Sequence, residues 1–205
     1  MHRTLVCEEF GATGCRLTKD TYDLTTKKGI EDAANLVNSF PANAIVHLFG
    51  SVPCTPWCSW HYINEAKHPH LKPILAIARR RSLVMINNFC LLAKLVLARG
   101  AQCTVSFEWP KSASGWRHKS VIAMHASIGL AHTARVDGCS VGVKELKTDR
   151  PIPKPWTVKS TSPIVAEHLN TLRCPGESDA HQHGVCQGSD TLRTVFTTKP
   201  LPLRS

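Results

Sequence analysis

Two groups of residues in this 205-residue chain have the types and spacing for chemistry. Cys54 lies in the run Gly-Ser-Val-Pro-Cys-Thr-Pro-Trp-Cys-Ser-Trp, residues 50–60, directly after an apolar stretch at 44–49. Pro53 and Pro56 fix φ on both sides of its thiol. Glu108 follows a second apolar stretch, 103–107, and precedes Trp109 and Pro110. A thiolate with a carboxyl group beside it suits covalent attack on a heterocycle, with proton transfer to a ring nitrogen. The second group is Cys174, His181, His183 and Cys186, spaced C-x6-H-x-H-x2-C. Two thiolates and two imidazoles are the ligand set of a structural zinc site. Two other arrangements of the same residue types are weighed beside these. Cys54, Cys58 and His61, with His68 or His70, have spacing that a metal can use. Cys54 with a histidine base would make a cysteine hydrolase, although nothing local orients a base toward the thiol.

The elements that must position these groups are legible as periodicity. Residues 28–39 carry Ala33, Leu36 and Val37 at helical spacing before Pro41 stops the helix. Residues 45–49 read as a strand, 74–98 as a long helix closed at Arg99-Gly100, and 103–107 as a further strand. A helix over 118–128 and a strand near 132–136 continue the alternation, and 15–18 is a candidate short strand. Strands separated by helices predict βαβ units and a parallel sheet, in which reacting groups gather beyond the carboxyl ends of the strands. From Asp149 the composition shifts to Pro, Thr, Ser and Lys. The expected division is therefore an α/β domain over 1–148 and an irregular extension over 149–205, with a short helix near 164–172.

Charge narrows the partner. A net charge of +10 and a pI near 9.4 favour polyanions, nucleic acid first. Lys111, Trp116, Arg117 and Lys119 interleave cations with an aromatic face directly after Glu108, the pattern expected of a nucleic-acid contact. The nine cysteines are odd in number and scattered, which fits reduced thiols in an intracellular, nuclear or cytoplasmic protein better than a disulfide framework. The longest apolar run, 83–98, is interrupted by Asn87, Asn88 and Lys94, so no membrane span is expected. Nothing in the sequence sets an oligomeric state.

Residues 50–60 resemble the Pro-Cys motif of cytosine-5 DNA methyltransferases, and Phe107-Glu-Trp-Pro stands in the place of their Glu-Asn-Val motif. A closer similarity, to methyltransferase-like segments of retroelement polyproteins, runs through most of the chain. It is carried by Arg16-Leu-Thr, Tyr22-Asp-Leu-Thr-Thr, Val52-Pro-Cys-Thr-Pro-Trp, Asp137-Gly-Cys, Trp156-Thr-Val-Lys-Ser-Thr-Ser-Pro and Arg173-Cys-Pro-Gly. The resemblance implies a Rossmann-like methyltransferase sheet, N-terminally truncated because no strand and glycine-rich loop precede residue 15. It implies Cys54 as the nucleophile toward a pyrimidine and Glu108 as the group on the ring nitrogen. S-adenosylmethionine would be the cofactor, with Asp23 near its adenine, Asp20 near its ribose and Pro53 beside it; the substrate would be DNA. The alternative is a non-catalytic nucleic-acid-binding protein of mobile-element origin.

Overall fold

The computed structural model describes residues 11–179 and 181–185. Its elements are α1 (Lys27–Ser39), β1 (His47–Gly50), α2 (Trp60–Lys67), α3 (Leu71–Leu97), β2 (Thr104–Pro110), α4 (Lys119–Ile128), β3 (His132–Asp137), β4 (Pro155–Ser160) and α5 (Pro163–Asn170). Single 3-10 turns stand at Thr55–Trp57, Ser114–Arg117 and Gly138–Val141.

The strands form one open sheet in the order β1-β2-β4-β3. β1 and β2 are parallel, whereas β4 runs antiparallel to both β2 and β3. The expected α/β alternation is present, but the sheet is mixed rather than parallel. The segment expected to be an irregular extension supplies β4, which lies inside the sheet, and α5, which packs beside it. The reason is a period-2 pattern hidden among polar residues: Trp156, Val158 and Ser160 are buried while Thr157 and Lys159 are only half-buried. Residues 15–18 form no strand; Thr18 and Thr21 close a turn instead.

Register settles which side chains share a face. Val105, Phe107 and Trp109 point to one side of β2 and are fully buried among Ile86, Phe89, Ala93 and Val96 of α3 and Val121, Met124 and Ile128 of α4. Ser106 and Glu108 point to the other side, the side of Val158, Ala134, Val136 and Trp156, where Ala166 of α5 packs. Helices thus cover both faces, the larger core lying under α3 and α4.

Local chemistry fixes the helix ends. Thr26 caps α1 by accepting from the Gly29 amide, and Ser162 caps α5 by accepting from the Val165 amide. His118 caps α4 through Nδ1, which accepts from the Ser120 amide, and Gly129 closes that helix at φ +69°. Inside the large core, His125 packs on Phe107 and Trp116. Burial, with Lys159 nearby, pushes its pKa down to about 4, so the ring is neutral.

Gly50, the last residue of β1, carries the chain out toward Cys54. A Cβ there would stand 2.4 Å from the ring of Phe89. Gly50→Ala must displace that ring and is expected to cost about 1–3 kcal/mol, lowering the melting temperature by several degrees in a calorimetric scan. An unchanged melting temperature would show that α3 yields without cost.

Candidate functional site

Cys54, Glu108, Asp137 and Lys154 come to one edge of the sheet. The loop Ser51–Cys54 follows β1, Glu108 lies near the end of β2, and Asp137 ends β3. Because β4 is reversed, Lys154 immediately before it arrives at the same edge. This is the end of an open α/β sheet at which ligands bind.

Hydrogen bonds to its surroundings hold the Pro-Cys loop. Trp109 Nε1 donates to Val52 O at 2.6 Å, Trp57 Nε1 donates to Ser82 Oγ at 2.8 Å, and Ser114 Oγ donates to Trp57 O at 3.0 Å. Cys54 caps the Thr55–Trp57 turn with φ −89° and ψ −8°, and its carbonyl accepts from the Trp57 amide. Pro56 and Trp57 are buried, so the turn is a packed wedge rather than a flexible loop.

Glu108 is only 3% exposed. It lies within β2 rather than beyond its end, opposite Val158. Ser51 Oγ donates to its Oε2 at 2.7 Å. Burial raises its pKa to about 7, against the opposing pull of Ser51 and the Lys154 ammonium. Cys54 is half-buried; burial and then the Glu108 carboxylate push its thiol up, while Lys154 pulls it down. Protonating Glu108 therefore removes a charge that opposes the thiolate. Among the described residues no histidine is hydrogen-bonded to Cys54.

The other assigned residues are dispersed. Asp23 Oδ1 accepts from Thr25 N and Oγ1 at 2.9 and 2.7 Å, which holds its carboxyl below the usual range and uses it to build the turn entering α1. That turn packs so tightly that a Cβ at Gly29 would meet Asp23 O. The Asp23 carboxyl thus serves a local turn, and Asp20 lies exposed in the turn before it. Lys111, Arg117 and Lys119 are exposed. Trp116 is half-buried, packed edge-on against Phe107 and Trp109, with Nε1 donating to Pro110 O. Its ring packs against the core and remains partly exposed. His61 Nε2 is paired with Thr55 O, and His68 packs on His70, so the Cys54–Cys58–His metal arrangement does not form.

A metal-ligand cluster does form, with a different fourth member. The ligand atoms of Cys139, Cys174, His181 and His183 all lie within 4.8 Å of one another and could hold a metal ion such as zinc. Cys186 lies outside the described residues. Cys139 comes from the Gly138–Val141 turn after β3, Cys174 from the chain leaving α5, and the histidines from a tail joined to the 145–151 loop. Gly184 N donates to Pro151 O, and Val185 N donates to a Glu145 carboxylate oxygen. His183 Nδ1 is 3.2 Å from Glu177 Oε1. A carboxylate only accepts, so the proton is on Nδ1 and Nε2 turns a lone pair toward the cluster. Gly176 N donates to Cys174 Sγ at 3.3 Å. Asp137, 3% exposed, braces the base of the cluster by accepting from Cys174 N, Arg173 Nε and Arg135 Nε.

Cys139, Ser51 and Lys154 were not singled out from the sequence. Cys139 had a usable signal: Asp137-Gly-Cys sits just past a strand, as Pro53-Cys54 does. Lys154 stands in a basic stretch, 144–159, that reads as a polyanion contact, but its place at this edge was hidden because the strand after it runs antiparallel within a segment that looked irregular.

No protein-family model, curated protein or solved structure compared with this chain matches it.

Glu108 makes stability pH-dependent. Its folded pKa is raised, so its contribution is complete below the usual carboxyl range and is lost as pH rises through about 7. Chemical denaturation between pH 5 and 8 should lose a few kcal/mol, on the order of 3. Glu108→Gln should flatten that slope; an equally steep slope in the variant would assign the dependence elsewhere.

Proposed function

We propose that the chain is a cytosine-5 methyltransferase-like protein acting on nucleic acid, in which Cys54 adds to the pyrimidine ring and Glu108 serves the ring nitrogen. The observation that carries this reading is the burial of Glu108 beside Cys54 at the carboxyl edge of the sheet. A carboxyl group with a pKa near 7 is protonated often enough to donate to a ring nitrogen. The Cys54 thiol gives its proton to water, the resulting thiolate forms a bond to C6, the C5–C6 π electrons move to C5, and Glu108 gives its proton to N3. Lys154 offsets the negative charge on whichever partner carries it. C5 is then nucleophilic, the carbon that such enzymes methylate. Methyl donation is a separate requirement, and the Asp23 geometry does not supply it. A target in duplex DNA would have to leave the stack to reach a half-buried thiol.

The same Asp23 geometry favours a second reading, a non-catalytic nucleic-acid-binding protein of mobile-element origin. The all-free cysteines among the described residues agree with a reducing compartment for either. No helix among those residues is long and apolar enough to cross a membrane.

Addition at C6 lets C5 exchange its proton with water before elimination, without any cofactor. An oligonucleotide with tritium at cytosine C5 should therefore release label when incubated with the chain. Cys54→Ser should abolish release and Glu108→Gln should slow it about 100-fold or more. Nucleic-acid binding with no release by folded wild-type protein would select the non-catalytic reading.

We further propose that the metal is zinc. Zinc bonds of about 2.3 Å to sulfur and about 2.0–2.1 Å to nitrogen in a tetrahedron place sulfur and nitrogen ligands roughly 3.5 Å apart and two nitrogens roughly 3.3 Å apart. Cys174 Sγ lies 3.5 and 3.3 Å from the two Nε2 atoms, which are 3.0 Å from each other. Protein purified without chelator should hold one zinc per chain by mass spectrometry of the native protein. Cys139→Ser should lose it and Cys186→Ser should keep it; the reverse pattern would restore Cys186 as the ligand.

A further inference from the structure

On the side of the Thr55–Trp57 turn facing α3, a cleft of about 590 Å³ opens between α3 and the Ser114–Arg117 turn. Its lining includes Arg79 and Arg80 from α3, Arg117 and His118 from the facing turn, and Trp57 and Leu83 at its base. Three guanidinium groups share one cleft whose lining contains no Asp or Glu.

The three do not have the same role. Arg79 is already committed: its Nε donates to Pro56 O, one NH2 group donates to Glu65 Oε1 at 3.0 Å, and its guanidinium lies 6.0 Å from the Trp57 ring centre. It forms a fixed wall. Arg80 and Arg117 are exposed, and among the described residues neither has an ion-pair partner. His118 packs on Trp57 in a tilted arrangement, ring centres 5.3 Å apart. Since its Nδ1 accepts from the Ser120 amide, a neutral ring carries its proton on Nε2 and offers a donor. Ser114 spends its hydroxyl proton on Trp57 O, and Trp57 Nε1 donates to Ser82 of α3, so Trp57 ties the two walls together.

We propose that this cleft binds the phosphodiester backbone of a single nucleic-acid strand, with Arg80 and Arg117 as its phosphate contacts and His118 as an added donor. The inference rests on the nucleic-acid reading above and gives it a location. Cations brought together without acids repel one another, and a phosphate relieves that cost while accepting the planar guanidinium fork. Position supports a strand rather than a free anion. Trp57 at the base of the cleft and Cys54 are the two ends of one 3-10 turn, which rises roughly 2 Å per residue, or about 6 Å in all. Stacked nucleotides advance about 3.4 Å each, so a strand passing Trp57 at the base of the cleft is about two nucleotides from Cys54 along that turn. The cleft thus holds the backbone flanking the base that Cys54 and Glu108 receive.

The test is fluorescence anisotropy of a labelled single-stranded oligonucleotide titrated with the full chain from about 50 to 200 mM salt. Arg80→Ala/Arg117→Ala should weaken binding about tenfold or more at the lower salt and reduce the log–log salt slope by about 1.4, two contacts at about 0.7 each. Lys27→Ala/Lys28→Ala removes the same charge from exposed positions of α1, and should leave both quantities near wild type. Circular dichroism confirms that each variant is folded. Equal weakening in the two double variants would reduce the effect to net charge, and wild-type affinity in the arginine variant would remove the cleft from the interface; either overturns the proposal. Binding of the wild type to phosphatidylserine vesicles but not to the oligonucleotide would overturn it as well. Tritium release separates the levels: a wild type that binds through the arginines without releasing label leaves the cleft standing and removes only the base-addition reading.

Discussion

The hydrogen bond from Trp109 Nε1 to Val52 O joins the Pro-Cys loop to the most buried strand of the sheet, and the rest of the site follows from that junction. Trp109 occupies the core side of β2, so its neighbour Glu108 must face the opposite side. The same indole that is locked among Phe107, Trp116 and Trp57 thus fixes the height of the loop carrying Cys54 above the carboxyl group. An indole needs a partner for its N–H when buried. Here that need is met by the loop backbone, so core packing and loop position are one interaction.

Electrostatics then distribute roles along the edge. The buried carboxyl of Glu108 favours its neutral form, while the buried carboxyl of Asp137 is held ionised by Arg173, Arg135 and the Cys174 amide. Two acids of similar exposure on strands that flank β4 therefore differ in charge because one has two guanidinium partners and the other has a serine and a lysine. The first suits proton transfer. The second serves as an anchor, tying α5 and Cys174 to β3. Gly138, between Asp137 and Cys139, donates its N–H to Pro153 O and Lys154 O. A Cβ there would press on Ile152 O, so the ligand-bearing turn and the segment leading to Lys154 are in close backbone contact.

Much of this was legible in the sequence because apolar periodicity survives wherever an element is amphipathic. The helices at 27–39, 71–97 and 119–128 and the strands leading to Cys54 and Glu108 stand close to where their patterns put them. β4 was hidden because Pro155, Thr157, Lys159 and Ser160 look like loop composition, and only pairing on both edges makes them a strand. Sequence spacing could not show that the Trp116 ring, read as a nucleic-acid contact, also packs against the core from its 3-10 turn. Cys139 was missed for a related reason: it lies 35 positions before Cys174, and only the pairing of β3 with β4 and the packing of α5 bring them together. Long-range pairing is the information that local pattern lacks.

The position of β4 between β2 and β3 also orders events during synthesis. β2 leaves the ribosome some fifty residues before the strand that covers its second edge. Until residues 155–160 emerge, a strand rich in Phe, Trp and Val presents an open row of N–H and C=O groups, the kind of edge that recruits other chains. A nascent chain stalled or cleaved before residue 155 would therefore be a substrate for chaperones and aggregation, whereas one that has passed residue 160 can close its own sheet.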